Sequence, residues 1–231
     1  MKHVLYLVCA IALSAPIFSQ TEIGNRKVRL GFKLDPVFLN NLKPADDGIK
    51  KDGAKFGVSY GVMADFLFND EKGAFATGLE IVHAGGNLKY EAGSNKGLRR
   101  NEATAANAAQ YYDIKLQYIQ IPLSLKLKTE EKNKFTWWGQ FGTYTGFLIG
   151  SRTDIRYGNV SEDKVKANKY MVPLNMGLLL GAGGEYSIAE KTDLYFGLGF
   201  ESGFTDVTRN KRWDDDKVTL KRWALRIGIF L

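Results

Sequence analysis

Glu80, Glu185 and Glu201 stand in stretches where polar and apolar residues alternate, and two carboxylates brought together could work as a general acid and base. The same polar side of those stretches carries Asp65 and five cations, Arg29, Lys33, Lys126, Arg222 and Arg226. Carboxylates surrounded by that many cations point to ion pairing rather than proton transfer. Three other groups could carry chemistry. His83, with a serine beside it, would suit a lipid-modifying hydrolase. Its neighbours are Ala84, Gly85 and Gly86, so it reads as an interfacial polar residue. "WDDDK", from Trp213 to Lys217, offers three carboxylates to a hard cation such as calcium. Consecutive side chains diverge, and the spaced ligands and glycine of a calcium loop are missing, so a solvated loop is expected. "GLLLGAGG", from Gly177, lacks the Lys and Ser or Thr of a phosphate-binding loop and lies inside a strand pattern, where glycines relieve crowding. No catalytic, cofactor or metal site emerges, and the chain reads as a non-enzyme.

The elements that position these residues are strands. "YIQIPLSLKLK", from Tyr118 to Lys128, sets Ile119, Ile121, Leu123, Leu125 and Leu127 on one face and Tyr118, Gln120, Pro122, Ser124, Lys126 and Lys128 on the other. Seven more stretches alternate in the same way, beginning near Lys27, Phe56, Ala74, Lys134, Val172, Asp193 and Leu220. Short turns, "NDEKG", "TEEKN" and "AEKT", follow the second, fourth and sixth strands. Long charged connections, near 36–54, 91–112, 151–169 and 206–217, follow the others. All long loops therefore leave one end of an all-β, eight-stranded, antiparallel up-and-down barrel, the pattern of a transmembrane β-barrel with short periplasmic turns.

The two faces decide what lies on each side. An interior of eight strands is barely wide enough for packed side chains. Turned inward, Trp137, Phe141, Phe196, Phe200 and Trp223 would overfill it. Turned outward they meet lipid, and the lumen receives glycines and a few polar groups. Arg29, Lys33, Asp65, Glu80, Lys126, Glu185, Glu201, Arg222 and Arg226 are then expected to pair across the lumen and plug it. Aromatics near strand ends resemble interfacial girdles: Phe66, Phe68, Phe75, Phe135, Trp137, Tyr186 and Trp223 toward one rim, and Tyr90, Tyr111, Tyr112, Phe147 and Tyr170 toward the other.

The first twenty residues, "MKHVLYLVCAIALSAPIFSQ", have a basic start, an apolar run from Val4 to Leu13 and small residues after it. This reads as a signal peptide over 1–19 cleaved after Ser19, with Gln20 a near alternative, leaving a barrel domain over 20–231. Cys9 is the single cysteine and lies in that leader, which leaves the exported part without disulfides or cysteine chemistry. The net charge of +7 could suggest nucleic acid, but its lysines and arginines are scattered and an exported protein rarely meets any, so no nucleic-acid partner is expected.

Tyr118, Ile121, Pro122, Leu123, Leu125 and Lys126, followed by Gly177, Gly181, Ala182, Gly183 and Tyr186, resemble the motifs of the PorT-type outer-membrane β-barrel family of Bacteroidota. The resemblance implies the outer membrane of a Gram-negative bacterium. Some members of that family are linked to protein secretion. Such barrels usually end in an aromatic residue; here Leu231 is last, which by alternation faces lipid, and Phe230 points inward. No appended domain is expected after the eighth strand. The expected role is structural or interactive, with outer-membrane lipid around the barrel and protein partners at the loops or the periplasmic rim. A small porin-like channel or a secretion-associated component are the alternatives.

Overall fold

The computed structural model describes residues 28–45 and 47–231, so the expected leader lies outside the described residues. Ten strands follow one another: β1 (Val28–Pro44), β2 (Ile49–Lys51), β3 (Lys55–Phe68), β4 (Gly73–Tyr90), β5 (Gln110–Lys128), β6 (Phe135–Tyr157), β7 (Val160–Lys166), β8 (Leu174–Ala189), β9 (Thr192–Gly203) and β10 (Val218–Phe230). Eight of them pair antiparallel in a ring, β1–β3–β4–β5–β6–β8–β9–β10, and β10 returns onto β1. The Leu231 N–H donates to the Leu30 carbonyl at 2.9 Å and finishes the seam. A closed ring leaves no edge, which is what a lipid medium demands of a sheet. β2 continues the wall beside β4, and β7 folds back on β6. Pro122 has no N–H to give, and the ladder between β4 and β5 is interrupted there, between the pairs Thr77↔Leu123 and Glu80↔Gln120. The Thr77 hydroxyl donates to the Pro122 carbonyl at 2.8 Å.

The aliphatic side chains face outward as their alternation requires. Leu30, Phe32, Leu34, Val62, Leu79, Leu123, Phe141, Leu178, Leu180, Leu198, Leu225 and Ile227 are exposed on the ring's outer face. Leu231 is also exposed, whereas Phe230 is buried inside.

The strands are longer than the ten or so residues needed to cross a bilayer. β6 has 23 residues and β5 has 19. This corrects two of the expected connections: much of 36–54 and 151–169 is strand wall rather than loop, whereas the connection near 91–112 is loop up to Gln110; the short helices α1 (Arg100–Ala105) and α2 (Asn210–Trp213) and a 3-10 turn at Asn168–Tyr170 lie between strands. The reason is a change of sign in the alternation. Along β5, the inward residues are Lys126, Ser124 and Gln120, then Tyr118, Leu116, Ile114 and Tyr112. The outward residues change from Leu127, Leu123 and Ile121 to Lys115 and Asp113. β10 does the same: Arg226 and Arg222 face inward, then Leu220 and Val218. Below the switch the barrel is apolar outside and polar inside; above it, polar outside and apolar inside. A bulge in β6 opposite Gln117 and Tyr118 leaves Ile149 unpaired and moves its inward residues from even to odd numbers.

The apolar interior of the upper part is a core of the kind found in water-soluble proteins. Leu42, Leu88, Ile114, Ile155 and Met171 pack there with Tyr90, Tyr112 and Trp213. The Tyr112 and Trp213 rings meet edge to face at 4.8 Å. Two members expected in an interfacial girdle, Tyr90 and Tyr112, are therefore buried inside. Trp223 also departs from the expected rim and lies mid-strand, its ring 4.7 Å from that of Phe200. Phe66, Phe75, Trp137 and Tyr186 do face outward toward the short-turn end.

Candidate functional site

All nine charged residues singled out in the sequence point into the lower lumen, and they assemble in two tiers. In the tier nearer the short turns, Arg29 meets Asp65 at 3.1 Å and Glu185 at 2.9 Å, and Lys126 meets the same two carboxylates at 2.7 and 2.9 Å. Two residues not among the nine complete it: Asp193, 2.7 Å from Arg29, and Lys128, 3.4 Å from Glu185. In the second tier Lys33 bridges Glu80 at 2.6 Å and Asp35 at 3.0 Å, and Arg226 bridges Asp35 at 2.9 Å and Glu201 at 3.0 Å. Arg222 also pairs with Glu201, which faces it directly in the β9–β10 register. Ser59 donates to Glu80, Gln120 donates to Glu201, and Arg222 donates to Gln120. Asp35 is the third residue beyond the nine.

Each tier balances three cations with three carboxylates. Arg29, Lys126 and Lys128 stand against Asp65, Glu185 and Asp193; Lys33, Arg222 and Arg226 stand against Asp35, Glu80 and Glu201. Isolated, any of these charges would be very costly in so dry a place; joined with no net charge, the tiers are a stable filling. Glycines give the long side chains their paths. Gly61 lies in register between Lys33 and Glu80. A Cβ on Gly199 would fall 2.2 Å from Nε of Arg226.

The lumen also holds an apolar group beyond the expected glycines, polar residues and inward Phe230. Trp138, Tyr195, Met63 and Phe230 are buried there, with the Trp138 and Tyr195 rings stacked at 4.7 Å. The Lys126 ammonium lies 4.7 Å from the centres of both the Tyr195 and Phe230 rings, so it is held by aromatic faces as well as carboxylates. Two small voids among the tiers measure about 10 and 30 Å³. They have room for a water molecule or two.

The other candidates fall elsewhere. His83 faces outward from β4 and stacks on Tyr60 at 6.0 Å. "WDDDK" is less solvated than expected: Trp213 is wholly buried, its Nε1–H donating to the Tyr170 carbonyl at 2.8 Å, and Asp215 is buried beneath the Tyr90 hydroxyl, which donates to it at 3.1 Å. Burial, with Asp206 near by, pushes the Asp215 carboxyl up to about 6 against the hydrogen bonds from Thr208 and Tyr90. Among the described residues no group of three or more His, Cys, Asp or Glu converges on a metal site. At the top, Arg99 clamps Glu162 of β7 with two hydrogen bonds of 2.8 and 2.7 Å, which holds the Glu162 carboxyl below its ordinary value and ties the α1 loop to the β6–β7 hairpin.

A closed ring of eight strands, greasy without and ion-paired within, has its counterpart among known proteins. The sequence model of the outer membrane protein beta-barrel domain matches residues 18–209. The chain belongs to this family. Membership of this outer-membrane barrel family places it in the outer membrane of a Gram-negative bacterium; in such barrels the short turns face the periplasm and the longer connections lie outside. Similar solved structures include Neisserial surface protein A, with 14% identity over 90% of this chain and 99% of that one and a TM-score of 0.48. OprG from Pseudomonas aeruginosa is 14% identical, covering 88% and 93%, with a TM-score of 0.42. Ail, the attachment invasion locus protein of Yersinia pestis, is 12% identical, covering 88% and 97%, with a TM-score of 0.41. No curated protein matches the chain.

Proposed function

We propose that this outer-membrane barrel is a sealed, non-enzymatic anchor whose external wall and loops, rather than its lumen, engage other molecules. The observation that carries the reading is the double seal: two charge-neutral tiers below, with small voids of about 10 and 30 Å³ among them, and a buried apolar cap above. Each carboxylate of the two tiers is engaged by a cation, so none of the six is a free acid or base. Within the family, the "YIQIPLSLKLK" and "GLLLGAGGEY" stretches support a place in the PorT-type branch, and with it a secretion-associated partner as one occupant of the rim.

The experiment is ion conductance of the refolded protein in a planar lipid bilayer. Silence from protein verified as folded is expected. Stable, reproducible conductance steps would overturn the seal and make the protein a small channel, with Arg226 and Glu201 the first residues to test for selectivity.

A further inference from the structure

The outer face of β5, β6 and β7 carries a row of three cations. Lys115 lies directly opposite Arg152, and Arg152 directly opposite Lys166. Like charges facing one another across strands repel. All three side chains are exposed. Two carboxylates on that face, Asp113 and Asp154, are already engaged: Asp113 by Lys55, and Asp154 through Oδ2 by the Lys115 ammonium at 2.7 Å and through Oδ1 by the Lys164 backbone N–H at 2.7 Å. Arg152 and Lys166 form no ion pair among the described residues.

The row has a defined height. Ile149 on β6 and Ile119 on β5 are the last apolar residues of the outward band, and Arg152 and Lys115 come three and four residues later. A strand tilted by about 40° rises about 2.5 Å per residue, so the row stands about 8 to 10 Å above the hydrocarbon boundary. The headgroup layer of a leaflet is about 5 to 8 Å thick, and lysine and arginine side chains reach down into it. A guanidinium flanked by two ammonium groups at that height is built for a phosphate, which Arg can grip through two parallel hydrogen bonds.

We infer that Lys115, Arg152 and Lys166 form a lateral binding site for a phosphate-bearing lipid headgroup of the outer leaflet. The wall is asymmetric, because β8 and β9 stop at Leu174 and Gly203 without an external extension. The bound lipid therefore sits on one side of the barrel. This stands whether or not the lumen conducts.

The test is native mass spectrometry of the refolded protein released from mixed phosphatidylglycerol and phosphatidylcholine micelles. Wild-type protein is expected to retain phosphatidylglycerol, and Arg152→Gln with Lys166→Gln to retain it roughly thirtyfold more weakly, at about a factor of five per surface charge. Lys211→Gln with Arg212→Gln, two exposed charges in the last external loop, should leave retention unchanged. No lipid preference in the wild type, or an equal loss in the loop variant, would overturn the site. If the face variant does not fold, the wild type still decides: retention that ignores rising salt rules the site out, and retention that falls with salt supports it.

Discussion

Lys126 shows what one residue does in this barrel. It binds Asp65 and Glu185 at 2.7 and 2.9 Å under the Tyr195 and Phe230 rings, so its removal takes a cation from two buried carboxylates at once and leaves the tier one negative charge in excess, with Arg29 still bridging the two. Lys126→Met is expected to cost about 3 to 5 kcal/mol, read as a lower denaturant midpoint for the refolded protein in lipid. Asp215 makes the opposite case, a buried acid without a cation. Its carboxyl is raised from 3.8 to about 6 in the folded cap, so the fold favours the protonated form. The stabilising proton is present in full below about pH 4 and is lost as pH rises through about 6. Protection factors over residues 206–217, corrected for the intrinsic pH dependence of amide exchange, should therefore be higher at pH 5 than at pH 7.5, and Asp215→Asn should remove the difference. Which residues could be recognised beforehand follows from where they sit. Arg29, Glu80 and Arg226 lie well inside alternating runs. Asp35, Lys128 and Asp193 stand where a run meets a proline or a turn, and a charge there looks solvated. Trp137 is placed outward by alternation, which turns Trp138 inward, but an interior read as glycines and a few polar groups gives no sign that it holds an indole.

At the scale of elements, the outward band was readable because lipid demands an unbroken apolar face, and period-two alternation displays it. Leu178→Arg, at mid-β8, is expected to destabilise the barrel by about 2 to 4 kcal/mol, measured by equilibrium unfolding from lipid vesicles. The strand ends were not readable in the same way. Above the switch in β5, Tyr112, Ile114 and Leu116 continue the alternation but on the inner face, with Asp113 and Lys115 outside. A reading that follows one greasy face sees the pattern stop there and assigns a loop. The β6 bulge at Ile149 adds a shift of phase that no composition signals. The buried tyrosines Tyr90 and Tyr112 were misplaced for the same reason, since an aromatic near a strand end serves an interface or a core depending on which way it turns.

For the whole molecule, the two halves have separate supports: ion pairs in the membrane part, apolar packing in the external part. Trp213 joins the last loop to the external core through its rings and its bond to the Tyr170 carbonyl. Trp213→Ala should open the cap alone, so that protease cuts between 206 and 217 while the membrane part keeps its heat-resistant mobility on a gel; simultaneous loss of both would show one cooperative unit instead. The reversal of faces has a bearing on how the protein sits among its neighbours. Sliding outward by one residue pair would lift the isoleucines into water, and sinking by the same step would drag Lys115 and Arg152 into oil. The chain thus carries its own waterline, and a thinner or thicker bilayer must deform around it rather than move it. Whatever docks on the tall side of the wall meets it at a constant altitude, like a mooring post driven to a marked depth.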